Sequence, residues 1–269
     1  MDLLQTLSSF TKELSNRNYS RNTQQQYLQY ARRYLLYSLE HPEVEPGQRL
    51  VDFLFDCLPE GESRFGAFSA VQAYYRAILE KEPPYYLRHR KKPKRLPHIL
   101  SREEIADILA AVPNLKHRLM IATLYASGLR VGELPALRIR DLDLTHRKMR
   151  VNGGKGKKDR FTLLSNKLSE EYRALMFGRS AECFLFVNRF GGPYSVRTIQ
   201  NILEKAVRSC GIKKKVTCHV LRHSFATHLF RAGVSIGRIK EYLGHSTIDT
   251  TLIYTHLELL ADKDIVSPY

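Results

Sequence analysis

From Pro83 to Pro97 the chain reads PPYYLRHRKKPKRLP, with four prolines, six Lys or Arg and no acid. Proline lacks a backbone N–H and fixes φ, so neither a regular helix nor a central strand can run through this stretch. The residues on either side of it are expected to fold as separate bodies joined by an extended basic linker. A chain of 269 residues suits that division, being long enough for two modest cores. The boundaries read as a first body over 1–82, a linker over 83–98 and a second body over 99–269.

The first body reads as helical throughout. Leu3, Leu7, Phe10 and Leu14 form a stripe at spacings of three and four. Ser20 is placed to cap a second, longer helix, on which Tyr27, Tyr30, Tyr34 and Tyr37 recur on one face. Aromatics at helical spacing are read as core. The polar set Asn22, Thr23, Gln24, Gln25, Arg32 and Arg33 is better suited to phosphates or groove edges. Further helices are expected over 48–57 and over 63–80, the latter carrying Phe68, Val71, Tyr75 and Ile78.

The second body opens on a capping box, Ser101-x-x-Glu104. A helix over 116–126 stops at Gly128, and residues 129–134 are expected to turn into another short helix. Residues 148–151 and 160–164 alternate around a Gly- and Lys-rich stretch, Asn152 to Asp159, which predicts a hairpin with a cationic tip. No GKS or GKT motif is present there, so this is not a nucleotide-binding loop. A helix over 169–177, a short strand over 184–187 and a helix over 195–209 come next. Two further helices are expected over 220–231 and 235–243; Leu221, Phe225 and Leu229 line one side of the first, His219, Arg222 and His223 the other. Gly244 and His245 come after them, and Ser246-x-x-Asp249 resembles a capping box for a helix bearing Tyr254. The fold class is mainly α (α+β), with one small antiparallel sheet in the second body.

Partners are constrained by charge. A formal net charge of +16, spread along the chain without a basic tail, points to a polyanion, and nucleic acid is the favoured one. No apolar run approaches membrane-spanning length, and the N-terminus lacks the pattern of a secretory leader. Cys57, Cys183, Cys210 and Cys218 form no CxxC pair, which fits reduced thiols in a cytoplasm. Cys210, Cys218, His219 and His223 match no standard zinc spacing, so neither a metal nor a cofactor is expected.

These residue types suit a phosphodiester attacked without a metal. Charge gathering on the non-bridging oxygens calls for guanidiniums that cannot lose a proton, and Arg130 and Arg222 are the candidates. A tyrosine phenol can attack phosphorus and hold the strand as an ester. A lysine on a closing hairpin can protonate the leaving oxygen, and histidines titrating near neutrality can take the nucleophile's proton.

Arg130 in ASGLRVGEL, Lys155 in GGKGKKDR, His219-x-x-Arg222 in HVLRHSFATHL, and LGHS followed by Tyr254 in TTLIYTH resemble the tyrosine recombinase, or phage-integrase-like, family. Six positions match in family order: Arg130, Lys155, His219, Arg222, His245 and Tyr254. The resemblance covers about residues 95–260, and the helical first body resembles the family's core-binding, DNA-binding domain more weakly. It implies a clamp around double-stranded DNA and a catalytic domain in the second body. Tyr254 would be the nucleophile of a 3′-phosphotyrosine intermediate, and Lys155 the general acid, with Lys157 and Lys158 on the same hairpin as alternatives. His219 would be the general base, His245 a donor to the phosphate, and Glu133 a carboxylate orienting Arg130. It also implies a homo- or hetero-tetramer on paired sites, weakly associated without DNA. The fifteen residues after Tyr254 leave no room for a further arm-binding domain, which favours a compact Xer-like enzyme, of chromosome or plasmid dimer resolution or of mobile-element integration or excision. A type I topoisomerase-like enzyme and a non-catalytic DNA-binding protein are the alternatives.

Overall fold

The computed structural model describes residues 2–87, 98–153 and 159–244. The backbone divides into two compact units, Met1–Pro93 and Lys94–Tyr269. Among the described residues no helix is long and apolar enough to cross a membrane.

The first unit is built from α1 (Leu3–Asn16), α2 (Arg21–Glu40), α3 (Pro46–Phe55) and α4 (Arg64–Tyr74). Each later helix begins on a side chain that accepts from its first turn. Ser20 Oγ accepts from Thr23 N, the Glu45 carboxylate from Gly47 N and Gln48 N, and Ser63 Oγ from Gly66 N. Pro46 sits in the first turn of α3, where its missing N–H is not needed. One π turn, Tyr75–Leu79, extends α4, and Glu80 ends it in the left-handed region at φ 54°. The tyrosine stripe is core. Tyr30 and Tyr34 are buried, Tyr27 and Tyr37 pack beside them, and the Tyr34 and Tyr75 hydroxyls meet at 2.9 Å. Half of the polar set read as phosphate contacts serves this unit internally. Thr23 joins the Ser20 cap, Gln24 Nε2 donates to Tyr19 O, and Arg33 pairs with Glu62 at 2.8 Å.

The second unit holds α5 (Arg102–Ala110), α6 (Leu115–Ala126), strands β1 (Leu142–Asp143), β2 (Lys148–Val151) and β3 (Arg160–Leu163), then α7 (Ser169–Met176), α8 (Val196–Ser209), α9 (Cys218–Arg231) and α10 (Ile236–Leu243). The Ser101–Glu104 capping box is closed in both directions. The strands form one antiparallel sheet in the order β1-β2-β3, with Met149 opposite Thr162 and Val151 opposite Arg160. Met149 and Val151 are buried while Lys148 and Arg150 are exposed, the alternation expected of a strand covered on one face. β1, two residues long, is too short to leave a periodic signal.

Three local expectations can be compared with the structure, and two of them need correction. Residues 184–187 form only isolated bridges, Arg138 with Phe184 and Val187 with Pro193, with Leu185 and Phe186 buried between them. As expected, residues 129–133 turn, Glu133 N donating to Arg130 O, into a short helix, which is a single 3-10 turn at Leu134–Ala136 with Pro135 in its first turn. Helix α9 starts two residues early, on a Thr217 cap, and places His219 in its first turn.

That helix is also no two-sided surface helix. Leu221, Arg222, Ser224, Phe225, Ala226 and Thr227 are all buried. Its hydroxyls are satisfied within the unit: Ser224 Oγ donates to Val220 O and accepts from Leu100 N, and Thr227 Oγ1 donates to His223 O. Helix α9 packs on α6, and α10 packs on both α9 and β3. The central helix is thus held from several sides before any charge is considered.

Candidate active site

Gly128 ends α6 at φ +59°, and a Cβ there would lie 2.3 Å from the Phe225 ring. Only glycine permits this approach of the turn to α9. The turn delivers two groups: the Gly128 carbonyl, and Arg130 two residues on. Gly244 is the second close approach. It ends α10 in the left-handed region at φ +62°, and a Cβ there would meet Arg160 Cδ at 2.7 Å.

Three guanidiniums converge on the end of α10, one on each of its last three carbonyls. Arg160 Nε donates to Tyr242 O at 2.9 Å, Arg222 Nη2 to Leu243 O at 2.5 Å and Arg130 Nη2 to Gly244 O at 3.0 Å. Arg222 Nη1 also donates to Gly128 O at 2.7 Å. A helix C-terminus leaves these carbonyls without intrahelical partners and gives them partial negative charge, so cations are favoured there. His245 is the next residue in the sequence.

Glu133 lies between two of the arginines. Its Oε1 accepts from Arg130 Nη1 at 2.9 Å and from Arg160 Nη1 at 2.7 Å. Its Oε2 accepts from Arg160 Nη2 and from the Arg130 backbone N–H, both at 2.7 Å. Burial alone would raise the Glu133 pKa, but the hydrogen bonds and charges of Arg160 and Arg130 prevail and hold it below the usual carboxylate value. Arg222 is 2% exposed, whereas the Arg130 side chain keeps 30% of its surface.

His219 and His223 bring their rings to 4.2 Å, nearly perpendicular. Burial, then the Arg222 and Arg130 charges, lower the His219 pKa, so its imidazole is neutral at physiological pH and available as a proton acceptor. Beside His219 runs a groove of about 570 Å³ carrying Arg197, Arg208, Lys214 and Lys215 over an apolar floor. Among the described residues no group of three or more His, Cys, Asp or Glu could hold a metal.

Of the six sequence-derived candidates, Arg130 and Arg222 share the α10 terminus, and His219 lies near enough to feel both charges. Lys155, His245 and Tyr254 lie outside the described residues. The hairpin that bears Lys155 is closed at its base: Asp159 accepts from Gly153 N at 3.0 Å and from Arg150 at 2.7 Å. The sequence marks Arg160 only as part of a strand. The available signal was its register, since it shares a strand face with buried Thr162.

Residues 98–259 match the phage integrase family. The chain belongs to the phage integrase family. It is 38% identical to a tyrosine recombinase of Pseudothermotoga lettingae over 67% of this chain and 64% of that relative. It is 31% identical to the tyrosine recombinase XerD of Oceanobacillus iheyensis, over 98% of this chain and 91% of the relative. Among solved structures, a XerA recombinase crystal structure aligns with 99% of this chain and 100% of its own at 30% identity and a TM-score of 0.57. This integrase-family chain is therefore a tyrosine recombinase of Xer-like type, and its mainly helical fold with one small antiparallel sheet is the family fold.

Proposed function

We propose that this enzyme performs site-specific recombination of double-stranded DNA through a covalent phosphotyrosine intermediate, with Arg130, Lys155, His219, Arg222, His245 and Tyr254 as its catalytic residues. The observation that carries the reading is the convergence of Arg130 and Arg222 on the end of α10, immediately before His245 in the chain. Two fixed guanidiniums at one place suit the charge that develops on a phosphoryl group in flight. The bond from Tyr254 Oη to phosphorus forms as the bond to O5′ breaks. Neutral His219 takes the phenolic proton, and Lys155 gives one to the leaving O5′. The 3′-phosphotyrosine keeps the bond energy of the strand, so a second 5′-hydroxyl can reverse the step on a partner duplex.

The surrounding charge supports DNA as substrate: the formal net charge is +16, and a basic groove adjoins His219. The helical first unit is assigned as the core-binding domain and residues 83–98 as the strap that tracks phosphates between the two. Strand exchange on paired sites calls for a tetramer assembled on DNA, homo- or hetero-oligomeric. The Xer-like character supports resolution of chromosome or plasmid dimers in the cytoplasm.

The test is a covalent adduct. A nicked duplex carrying a site selected from a random DNA pool should become linked to the wild-type chain, seen on a denaturing gel. Tyr254→Phe should give none. An adduct persisting in the variant removes Tyr254 from the nucleophile's role. Relaxed circles in place of recombined joints would assign a topoisomerase.

A further inference from the structure

We infer that Arg160 is a positioning residue of this reaction: it divides the charge of Glu133 with Arg130 and locks both arginines to the end of α10. The inference rests on the recombinase reading above.

The geometry separates Arg160 from Arg130, the more exposed of the two arginines on Glu133. Its side chain is 8% exposed, and its donors point inward: Nε to Tyr242 O, Nη1 and Nη2 to the two oxygens of Glu133. Arg130 makes one side-chain contact to the same carboxylate and remains 30% exposed. Without Arg160, a Glu133 carboxylate in the same place would pair with Arg130 alone. The fork-shaped geometry of guanidinium and carboxylate then favours a two-point pair, which cancels the charge Arg130 would present to a phosphate. With Arg160 present, two cations share one anion, and the cluster keeps a net positive charge. A buried carboxylate is also costly to ionise, and Arg160 is the largest influence opposing that cost.

Arg160 further couples two elements that the site needs in register. It belongs to β3, and it grips the α10 terminus through Tyr242 O, next to the carbonyls used by Arg222 and Arg130. Lys155 lies five residues before Arg160 in the sequence. A shift of Arg160 would therefore move the α10 end relative to both arginines that face the phosphate.

The test compares two substrates. One is the selected nicked duplex with an ordinary scissile phosphate. The other carries a methylphosphonate there, in which a methyl group replaces one non-bridging oxygen and removes the negative charge. On the phosphate, Arg160→Met should slow adduct formation by about tenfold to a hundredfold, less than the ~10²–10³ expected for direct removal of an oxyanion donor. On the methylphosphonate, wild type and Arg160→Met should react at rates within about threefold, because the charge that Arg130 answers is gone. Arg160→Lys keeps a cation beside Glu133 without the fork and should show a smaller loss, again confined to the phosphate. It serves as the second variant if Arg160→Met does not fold by circular dichroism. Equal slowing on both substrates would make Arg160 merely structural and overturn the inference, as would a variant as fast as wild type on phosphate. Absence of any adduct with wild-type protein on either DNA would instead sink the recombinase reading, and the inference with it.

Discussion

His223 comes directly after Arg222 on α9 and stacks edge-on against His219. Burial, then the charges of His219 and Arg222, push its pKa down to about 4. In the unfolded chain an imidazole titrates near ~6.5. Between those values the unfolded chain binds a proton that the native site refuses, so stability is full above about pH 6.5 and falls as pH drops towards 4. At ~1.4 kcal/mol per pH unit the loss is at most about 3 kcal/mol, less the part that solvent at the partly exposed ring screens. His117, His219 and His228 are shifted in the same direction and add to the slope. Urea midpoints measured from pH 7 to 4 should therefore decline, and His223→Gln should decline less steeply. A wild-type midpoint that does not change over this range would contradict the buried, neutral imidazole.

At the scale of elements, the site depends on how closely the α6 turn and α9 can approach. Gly128 and Gly178 both have positive φ, +59° and +70°, but they differ in surroundings. A Cβ at Gly178 meets nothing within 4 Å, whereas one at Gly128 would strike Phe225 at 2.3 Å. Gly178→Ala should cost only backbone strain, about 1 kcal/mol. Gly128→Ala should cost clearly more, because the aromatic ring or the turn must also shift in a packed core. Since Gly128 O holds Arg222, that variant should also slow adduct formation, while Gly178→Ala should not. Equal urea midpoints for the two variants would show that the α6–α9 approach is looser than the contact implies.

For the whole molecule, the deciding property is charge. A formal +16 spread along the chain, with six Lys or Arg between residues 83 and 97, predicts binding to any duplex that is steeply sensitive to salt. With about six to ten phosphate contacts, affinity for random duplex DNA should fall by roughly 10³–10⁵ between about 50 and 200 mM salt. If the strap tracks phosphates, replacing Lys91, Lys92 and Lys94 by Gln should reduce the slope of log affinity against log salt by about 0.9 for each phosphate no longer neutralised. An unchanged slope would mark that run as a solvated spacer.

Local chemistry made much of this chain legible in advance. The caps at Ser20 and Ser101 placed helix starts, and alternation placed β2 and β3. Each of these signals acts over a few residues, which is why it survives without a fold. The motifs that carry Arg130, His219 and Arg222 were likewise visible, because they are short and ordered. The role of Arg160 was not, since its partners Glu133 and Tyr242 lie 27 and 82 residues away. Nor could α9 be read as central: Arg222, Ser224 and Thr227 look solvent-facing until other helices close over them. Residue type and spacing determined which groups are candidates for phosphate chemistry. Only tertiary packing decided that three arginines would meet one helix end, because that requires elements far apart in sequence to bring fixed dipoles within hydrogen-bond reach.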